Sequence, residues 1–362
     1  MALKVLHIAP LDGNRGSGLN RSIPALARAQ ADAGAEVSVL ATGPEAGMAA
    51  AEGLEGRLWN GLSAEAFDAF LGGVDLAVFH STYVPAHAKI AKHLRAASIP
   101  YVITPRGGMT NAAGAVKPLK KAFGNTLFFK RLVRGAEALH FLTKGEATAS
   151  AHWNKPGFVV GNGVDPAPAS FVRDFSPDGP KKFVFIGRLA IGHKGLDLLV
   201  EAWAAFKKRF PDSGATLLLY GPDHEGGKGW LDEAVARLKL GDSVRIEGPV
   251  YGGEKEAVFR DAAAFLHTSR FEGCPMAVLE ALARGVPCLL TPGTFMAEEV
   301  SAAGAGIAVG GDVPSIARAF EAVENDEHEL GEMGAAARAW AERHSWSSVA
   351  EVTLEAYAKL LR

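Results

Sequence analysis

Short apolar runs alternate with helical stripes along the whole chain. In the first half, Val5–Ala9, Val37–Ala41, Leu76–His80, Tyr101–Thr104, Leu139–Thr143 and Phe158–Val160 read as strands. Apolar positions recur at helical spacing between them, over Asn20–Ala33, Ala86–Ala97 and Pro118–Arg134. The pattern then restarts. Phe183–Ile186, Thr216–Tyr220, Val244–Glu247, Ala264–His267, Cys288–Leu290 and Gly306–Val309 read as strands, and Leu196–Phe210, Leu231–Leu240, Lys255–Ala262 and Pro275–Arg284 as helices. Such alternation predicts parallel sheets covered on both faces, an α/β fold of two Rossmann-like, doubly wound domains facing a central cleft. Asp165–Ser170 and Ser176–Pro180 are rich in Pro and Gly and mark a linker. This places one domain at residues 1–170 and the other at 181–344. Residues 345–362 form a terminal amphipathic helix with Val349, Val352, Leu354, Tyr357, Leu360 and Leu361. Open α/β sheets bind ligands at the carboxyl ends of their strands.

The most informative stretch runs from Ser269 to Pro287, after the apolar run Ala263–His267. A strand ends there, a tight loop carries Glu272, and a helix begins at once. Pro275 suits the first helical position. Met276, Leu279 and Leu282 give one apolar stripe, Gly285 fits a left-handed cap, and Pro287 prevents continuation. N–H groups at a helix start attract phosphate, so Gly273, Cys274, Met276 and Ala277 are candidate phosphate contacts. Glu280 follows Glu272 by eight residues, about two turns further on, so two carboxylates flank one anion site at different depths. Carboxylates suit sugar hydroxyls, because charge assistance strengthens the hydrogen bonds they accept.

Composition narrows the reading. A length of 362 residues with 48% hydrophobic residues supports two sizeable cores. A net charge of −2 carries no basic field for nucleic acid. The two cysteines, Cys274 and Cys288, make no disulfide framework and read as packing residues in a reducing compartment. Met1–Pro10 is too short and too soon interrupted for a secretory signal, and no run approaches a membrane span. The expected location is cytoplasmic.

The motif Phe271-Glu272-Gly273-Cys274-Pro275-Met276-Ala277-Val278-Leu279-Glu280-Ala281-Leu282-Ala283-Arg284-Gly285-Val286-Pro287 resembles the Glu-x7-Glu signature of retaining glycosyltransferases of the GT-B fold, family 4. Further segments carry the same resemblance. Gly187-Arg188-Leu189 and Lys194-Gly195 are similar to positions that hold the diphosphate of a nucleotide sugar. Arg188 forks to two oxygens and Lys194 acts as a point charge. Asp12–Arg21, with Gly16 and Gly18, resembles the family's glycine loop, which approaches the diphosphate from the other domain. His80 stands where the family places a histidine facing the donor sugar. Pro105-Arg106-Gly107-Gly108-Met109 resembles the Pro-Arg-Gly-Met loop of one branch, which leaves Arg106 for donor phosphate or acceptor. Asn162-Gly163-Val164-Asp165 matches a segment before the hinge, and the loop ending in Tyr251 falls where the base would lie.

The resemblance implies a metal-independent hexosyl transfer from a nucleotide-diphosphate sugar to a glycan or lipid-linked acceptor, with no cofactor, in polysaccharide synthesis. Glu280 would hold ribose, while Glu272 and His80 would grip sugar hydroxyls. The chain has no Asp-x-Asp with which metal-dependent transferases hold an ion. A Walker loop fails because His193-Lys194 stands where Lys-Ser/Thr is needed, and a dinucleotide fingerprint fails because Arg21 replaces the third glycine. The run Lys117–Arg134 has six basic residues and no acid, which suits either a solvated face or peripheral contact with the inner membrane surface. The competing functional classes are a GT-B-like nucleotide-sugar epimerase and a binding module that has lost catalysis.

Overall fold

The structure is a computed structural model that describes residues 2–14, 16–60, 62–111, 113, 129–173, 179–325 and 329–362. The chain forms two compact units, one of Met1–Gly163 with His344–Arg362 and the other of Val164–Arg343.

The first unit holds a sheet of seven parallel strands: β1 (Lys4–Ala9), β2 (Glu36–Ala41), β3 (Glu55–Leu58), β4 (Leu76–His80), β5 (Tyr101–Thr104), β6 (Ala138–Phe141) and β7 (Gly157–Val159). Their order is β3-β2-β1-β4-β5-β6-β7. The second unit holds six: β8 (Lys182–Ile186), β9 (Thr216–Tyr220), β10 (Val244–Glu247), β11 (Ala264–His267), β12 (Cys288–Leu290) and β13 (Gly306–Ala308), in the order β10-β9-β8-β11-β12-β13. All ladders are parallel. Both sheets reverse their winding at one point, between β1 and β4 and between β8 and β11. The crevice outside the strand ends at such a switch point is where open α/β sheets take ligands.

Central strands are apolar because both faces are covered. β4, β5 and β11 are buried throughout. On one face of the second sheet Phe183, Trp203, Phe206 and Phe320 form a ring cluster, with Phe183 and Trp203 centroids 5.5 Å apart. On the other, Phe265, Leu279, Leu282 and Leu290 pack together. All strands expected from sequence form, with ends shifted by up to two residues, and β3 is added. Helices not read from the sequence also form, among them Ala64–Phe70, Lys144–Ala149, Val313–Glu324 and Leu330–Glu342. Of the expected helix Pro118–Arg134, residues 118–128 lie outside the described residues, and Lys130–Gly135 is helical.

The division falls at Gly163, ahead of the 170 suggested by linker composition. Arg173 gives the physical reason. It is buried, and its guanidinium donates to the carbonyls of Gly285 at 2.9 Å and Ala262 at 2.6 Å, which ties the linker to the second unit. The terminal helix, Trp346–Leu360, packs on the Gly18–Asp32 helix of the first unit. Its Tyr357 is fully buried among Val5, Leu76, Val78 and Val102. Gly163 leaves room for Trp346; a Cβ there would come within 2.6 Å of the indole.

Candidate active site

The second unit builds its site from two loops at strand ends. After β8 come Gly187 and Arg188, then a short helix, Ile191–Lys194, ended by Gly195. After β11 come Thr268 to Pro275, then the helix Met276–Ala283. Gly195 has φ +62°, and a Cβ on it would lie 2.2 Å from the Thr268 carbonyl oxygen, so only glycine lets these two loops meet. Thr268 Oγ1 donates to the Lys194 carbonyl at 2.9 Å, and the Arg270 N–H to that of His193 at 3.0 Å. Arg270 also forks onto Asp197 at 2.7 and 2.8 Å.

These contacts bring Lys194 and Glu272 together. Lys194 Nζ donates to Glu272 Oε1 at 2.5 Å, Ser269 Oγ donates to the same oxygen at 2.9 Å, and His267 Nε2 lies 3.3 Å from it. Burial opposes the Glu272 charge, but the Lys194 ammonium and the His267 hydrogen bond outweigh it and hold the carboxyl well below the usual range. Glu272 is therefore a fixed carboxylate. His193 stacks on Phe271 with centroids 4.3 Å apart and donates to its carbonyl at 2.9 Å. Burial lowers the His193 pKa, Glu272 raises it, and the positive charges of Lys194 and Arg188 lower it further. Arg188 thus lies within electrostatic reach of this cluster, while its side chain is exposed.

Pro275 occupies the N-cap, with extended backbone at ψ 116°, and Met276 opens the helix one position later than the sequence suggested. Helix geometry leaves the Met276 and Ala277 N–H groups without an intrahelical carbonyl. Gly273 is buried, and Cys274 is half-buried with its Sγ 3.9 Å from Met296 Sδ. Gly285 caps the helix end at φ +69°. Glu280, the fifth residue of the helix, is 3% exposed and pairs with Lys255 of the Gly252–Asp261 helix. Sequence reasoning missed this lysine. The two carboxylates expected to flank one anion site are each matched by a separate lysine. Tyr251 is the N-cap of the Gly252–Asp261 helix and is 39% exposed. Among the described residues no three His, Cys, Asp or Glu side chains converge as a metal site.

In the first unit the expected residues meet at Arg106. Ahead of the Gly18–Asp32 helix, Asn20 of that helix donates to Asp12 at 2.6 Å, and the Gly16 N–H donates to Asn14 at 2.9 Å. Gly18 opens that helix, and the left-handed glycine is Gly13, not Gly16 or Gly18. On that helix, Ser22 accepts from Arg106 Nη1 at 2.9 Å, and Asn162 accepts from the same nitrogen at 3.5 Å. His80, at the end of β4, is fully buried. Its Nδ1 faces Arg106 at 3.3 and 3.4 Å, and its Nε2 lies 2.8 Å from His7 Nδ1. Both ring nitrogens are thus engaged within this unit, whereas sequence reasoning had the imidazole facing a sugar. His7 and Gln30, also fully buried, are partners that sequence reasoning did not find. Burial, then the Arg106 charge, pushes His80 well below its ordinary pKa, so the ring is neutral.

Comparison with known proteins agrees with this layout. The family "Glycosyl transferase 4-like domain" matches residues 17–163, and "Glycosyl transferases group 1" matches residues 168–340. A D-inositol 3-phosphate glycosyltransferase of Pseudarthrobacter chlorophenolicus is 33% identical over 188 residues, 51% of this chain and 44% of that protein. A mannosylfructose-phosphate synthase of Agrobacterium fabrum is 31% identical over 115 residues, 31% of this chain and 25% of that protein. The chain thus spans about half the length, or less, of these curated relatives. The crystal structure of Anabaena Alr3699/HepE in complex with UDP superposes over 99% of this chain and 100% of that one, with TM-score 0.78 and 16% identity. Two parallel sheets with the Glu272–Glu280 unit at the switch point of the second, and family matches over both halves, place the chain among the group 1 glycosyltransferases of GT-B fold.

Proposed function

We propose that the protein is a retaining, metal-independent hexosyltransferase that moves a sugar from a nucleotide-diphosphate sugar to a glycan or lipid-linked acceptor. The observation that carries this reading is the βα unit of β11 and the Met276–Ala283 helix. It sets two buried or nearly buried carboxylates, each beside a lysine, around a helix start. Glu280 holds the ribose hydroxyls of the donor. Lys194, Arg188 and the N–H groups of Met276 and Ala277 meet the diphosphate. These contacts strengthen as charge develops on the leaving oxygen, so they lower the barrier rather than only tightening binding. Glu272, kept ionised by Lys194, accepts from donor-sugar hydroxyls. The Tyr251 loop receives the base.

A panel of nucleotide sugars screened by thermal shift identifies the donor, since a bound ligand raises the melting temperature. UDP sugars come first, because a solved structural neighbour carries UDP. The names of the relatives include D-inositol 3-phosphate and mannosylfructose phosphate, so the acceptor panel adds phosphorylated polyols and sugars to glycans and lipid-linked sugars. Nucleotide diphosphate released faster with acceptor than without it supports transfer. Release with an altered sugar and no acceptor dependence identifies an epimerase, and binding without release identifies an inactive module. Proton NMR of the product anomer tests retention. Activity lost in EDTA and restored by manganese would overturn metal independence. Among the described residues no helix is long and apolar enough to cross a membrane. Lys130, Arg131 and Arg134 offer exposed charge for surface contact with a lipid-linked acceptor.

A further inference from the structure

Two loops of the second unit are laced together carbonyl by carbonyl. The helix Ile191–Lys194 is a single turn: the Lys194 N–H donates to the Ala190 carbonyl at 2.8 Å, and the Gly195 N–H to that of Ile191. Gly195 then turns left-handed and ends it. A helix end leaves its last carbonyls without an intrahelical donor. Here the segment after β11 supplies the donors. The Gly192 carbonyl accepts from Arg270 Nη1 at 2.8 Å, and the His193 carbonyl from the Arg270 N–H at 3.0 Å. The Lys194 and Gly195 carbonyls accept from Thr268 Oγ1 at 2.9 and 3.2 Å. Consecutive carbonyls from Gly192 to Gly195 are thus held by two residues of the loop that carries Glu272.

The Arg270 guanidinium adds a grip from both sides. Its Nη1 is shared between the Gly192 carbonyl and Asp197 Oδ1, both at 2.8 Å, and its Nη2 donates to Asp197 Oδ2 at 2.7 Å. It therefore holds the chain both before and after Lys194. The Arg270 side chain is 40% exposed and that of Asp197 30%, and an ion pair this open adds little to global stability. What it controls is placement. Lys194 Nζ donates to Glu272 Oε1 at the end of a flexible four-carbon stem. Such a stem meets one oxygen reproducibly only when its own backbone is fixed relative to that oxygen. Stabilising charge as it develops requires donors that are already in place.

We propose that Arg270 is a positioning residue of the site: through the Gly192 carbonyl and Asp197 it fixes the Lys194 backbone against the Glu272 loop, so that the two loops present ammonium and carboxylate to the donor as one unit. Its part in transfer rests on the glycosyltransferase reading above.

Two measurements on the full-length chain test it, and the first is independent of activity. Hydrogen exchange followed by mass spectrometry reads the segment 191–199. Arg270→Met should speed exchange there about tenfold or more, with the urea midpoint close to that of the wild type. Unchanged exchange in this segment overturns the proposal. So does a midpoint low enough to speed exchange throughout the second unit, because Arg270 would then support the fold rather than place Lys194. The second measurement is kinetic, with the nucleotide sugar that the thermal-shift panel identifies. Arg270→Met should lower kcat about 10- to 100-fold, the scale of an ångström's misplacement at a catalytic group, and change the donor KM by less than about threefold. Arg270→Lys keeps the charge but cannot fork, and should recover part of the loss. Asp197→Ala should reproduce part of it, and the double variant should be no worse than Arg270→Met alone. On a Lys194→Ala background Arg270→Met should add little, since it acts through that side chain. Losses that multiply, or a silent Asp197→Ala, would mean that the Arg270 guanidinium itself meets substrate and is no positioning group. A wild type that releases nucleotide from no sugar donor refutes the transferase reading, and hydrogen exchange then still decides whether Arg270 holds the two loops together.

Discussion

Lys194 Nζ and Glu272 Oε1 lie 2.5 Å apart, with side chains 10% and 13% exposed. An ion pair this enclosed is sensitive to the loss of one partner, because the other is left as a buried, uncompensated charge. Lys194→Met or Glu272→Gln should each destabilise the protein by about 3 kcal/mol or more, and the double variant by less than the sum. Urea unfolding of the four proteins gives the coupling. Additive losses would show that the pair is not energetically coupled.

Glu280 and Lys255 make the second pair, and the proposed division of labour predicts a different readout. Glu280→Gln should weaken binding of the free nucleotide diphosphate about tenfold or more, the scale of hydrogen bonds to a charged group. Lys255→Met should act in the same direction, since Lys255 holds the Glu280 carboxylate in place. Glu272→Gln should leave nucleotide diphosphate binding nearly intact and damage transfer. Calorimetric titration separates these outcomes, and equal losses for Glu272→Gln and Glu280→Gln would contradict the assignment.

Arg188 offers the cleanest separation of catalysis from folding. Its side chain is exposed at the end of β8, so Arg188→Ala should change stability by no more than about 0.5 kcal/mol. If it stabilises developing charge on the leaving group, turnover should fall about 10²–10³-fold. Turnover within threefold of the wild type would remove Arg188 from the site.

The buried histidines of the first unit predict how stability depends on pH. Burial disfavours their charged form and lowers His7 and His140 to about 4 and His87 to about 3, from an ordinary value near 6.5. Between those values the unfolded chain binds more protons than the folded one. Stability is therefore full above about pH 6.5 and is lost as the pH falls. At pH 5 each of the three should contribute on the order of 2 kcal/mol to the loss, at about 1.4 kcal/mol per pH unit. Urea melts at pH 7 and pH 5 measure this, and His87→Leu should flatten the slope. Equal stability at the two pH values would mean that these rings are not neutral in the fold.

The strands were legible because parallel strands buried on both faces leave unbroken apolar runs. β3 escaped because an edge strand reading Glu55-Gly56-Arg57-Leu58, half of it exposed, has no such run. Leu330–Glu342 escaped because a helix rich in alanine carries a faint stripe. Glu272 and Glu280 were legible because they share one local motif. Lys255 was not, since it reaches Glu280 from a separate helix 25 residues away. His80 was found by its place at a strand end, but its partners His7 and Arg106, and Gln30 behind His7, come from three other segments, and only packing brings them together. The sequence could therefore suggest that His80 matters without showing which way its ring is turned.

The burial of Tyr357 in the first unit has a consequence for synthesis. Residues 1–163 leave the ribosome first, yet their core lacks a wall until residues 346–360 have been made. The second unit is one continuous stretch, 164–343, and has all of its core residues earlier. The second unit can thus finish folding before the first, whose residues up to Gly163 wait, incompletely packed, for a helix more than 180 residues downstream of Gly163.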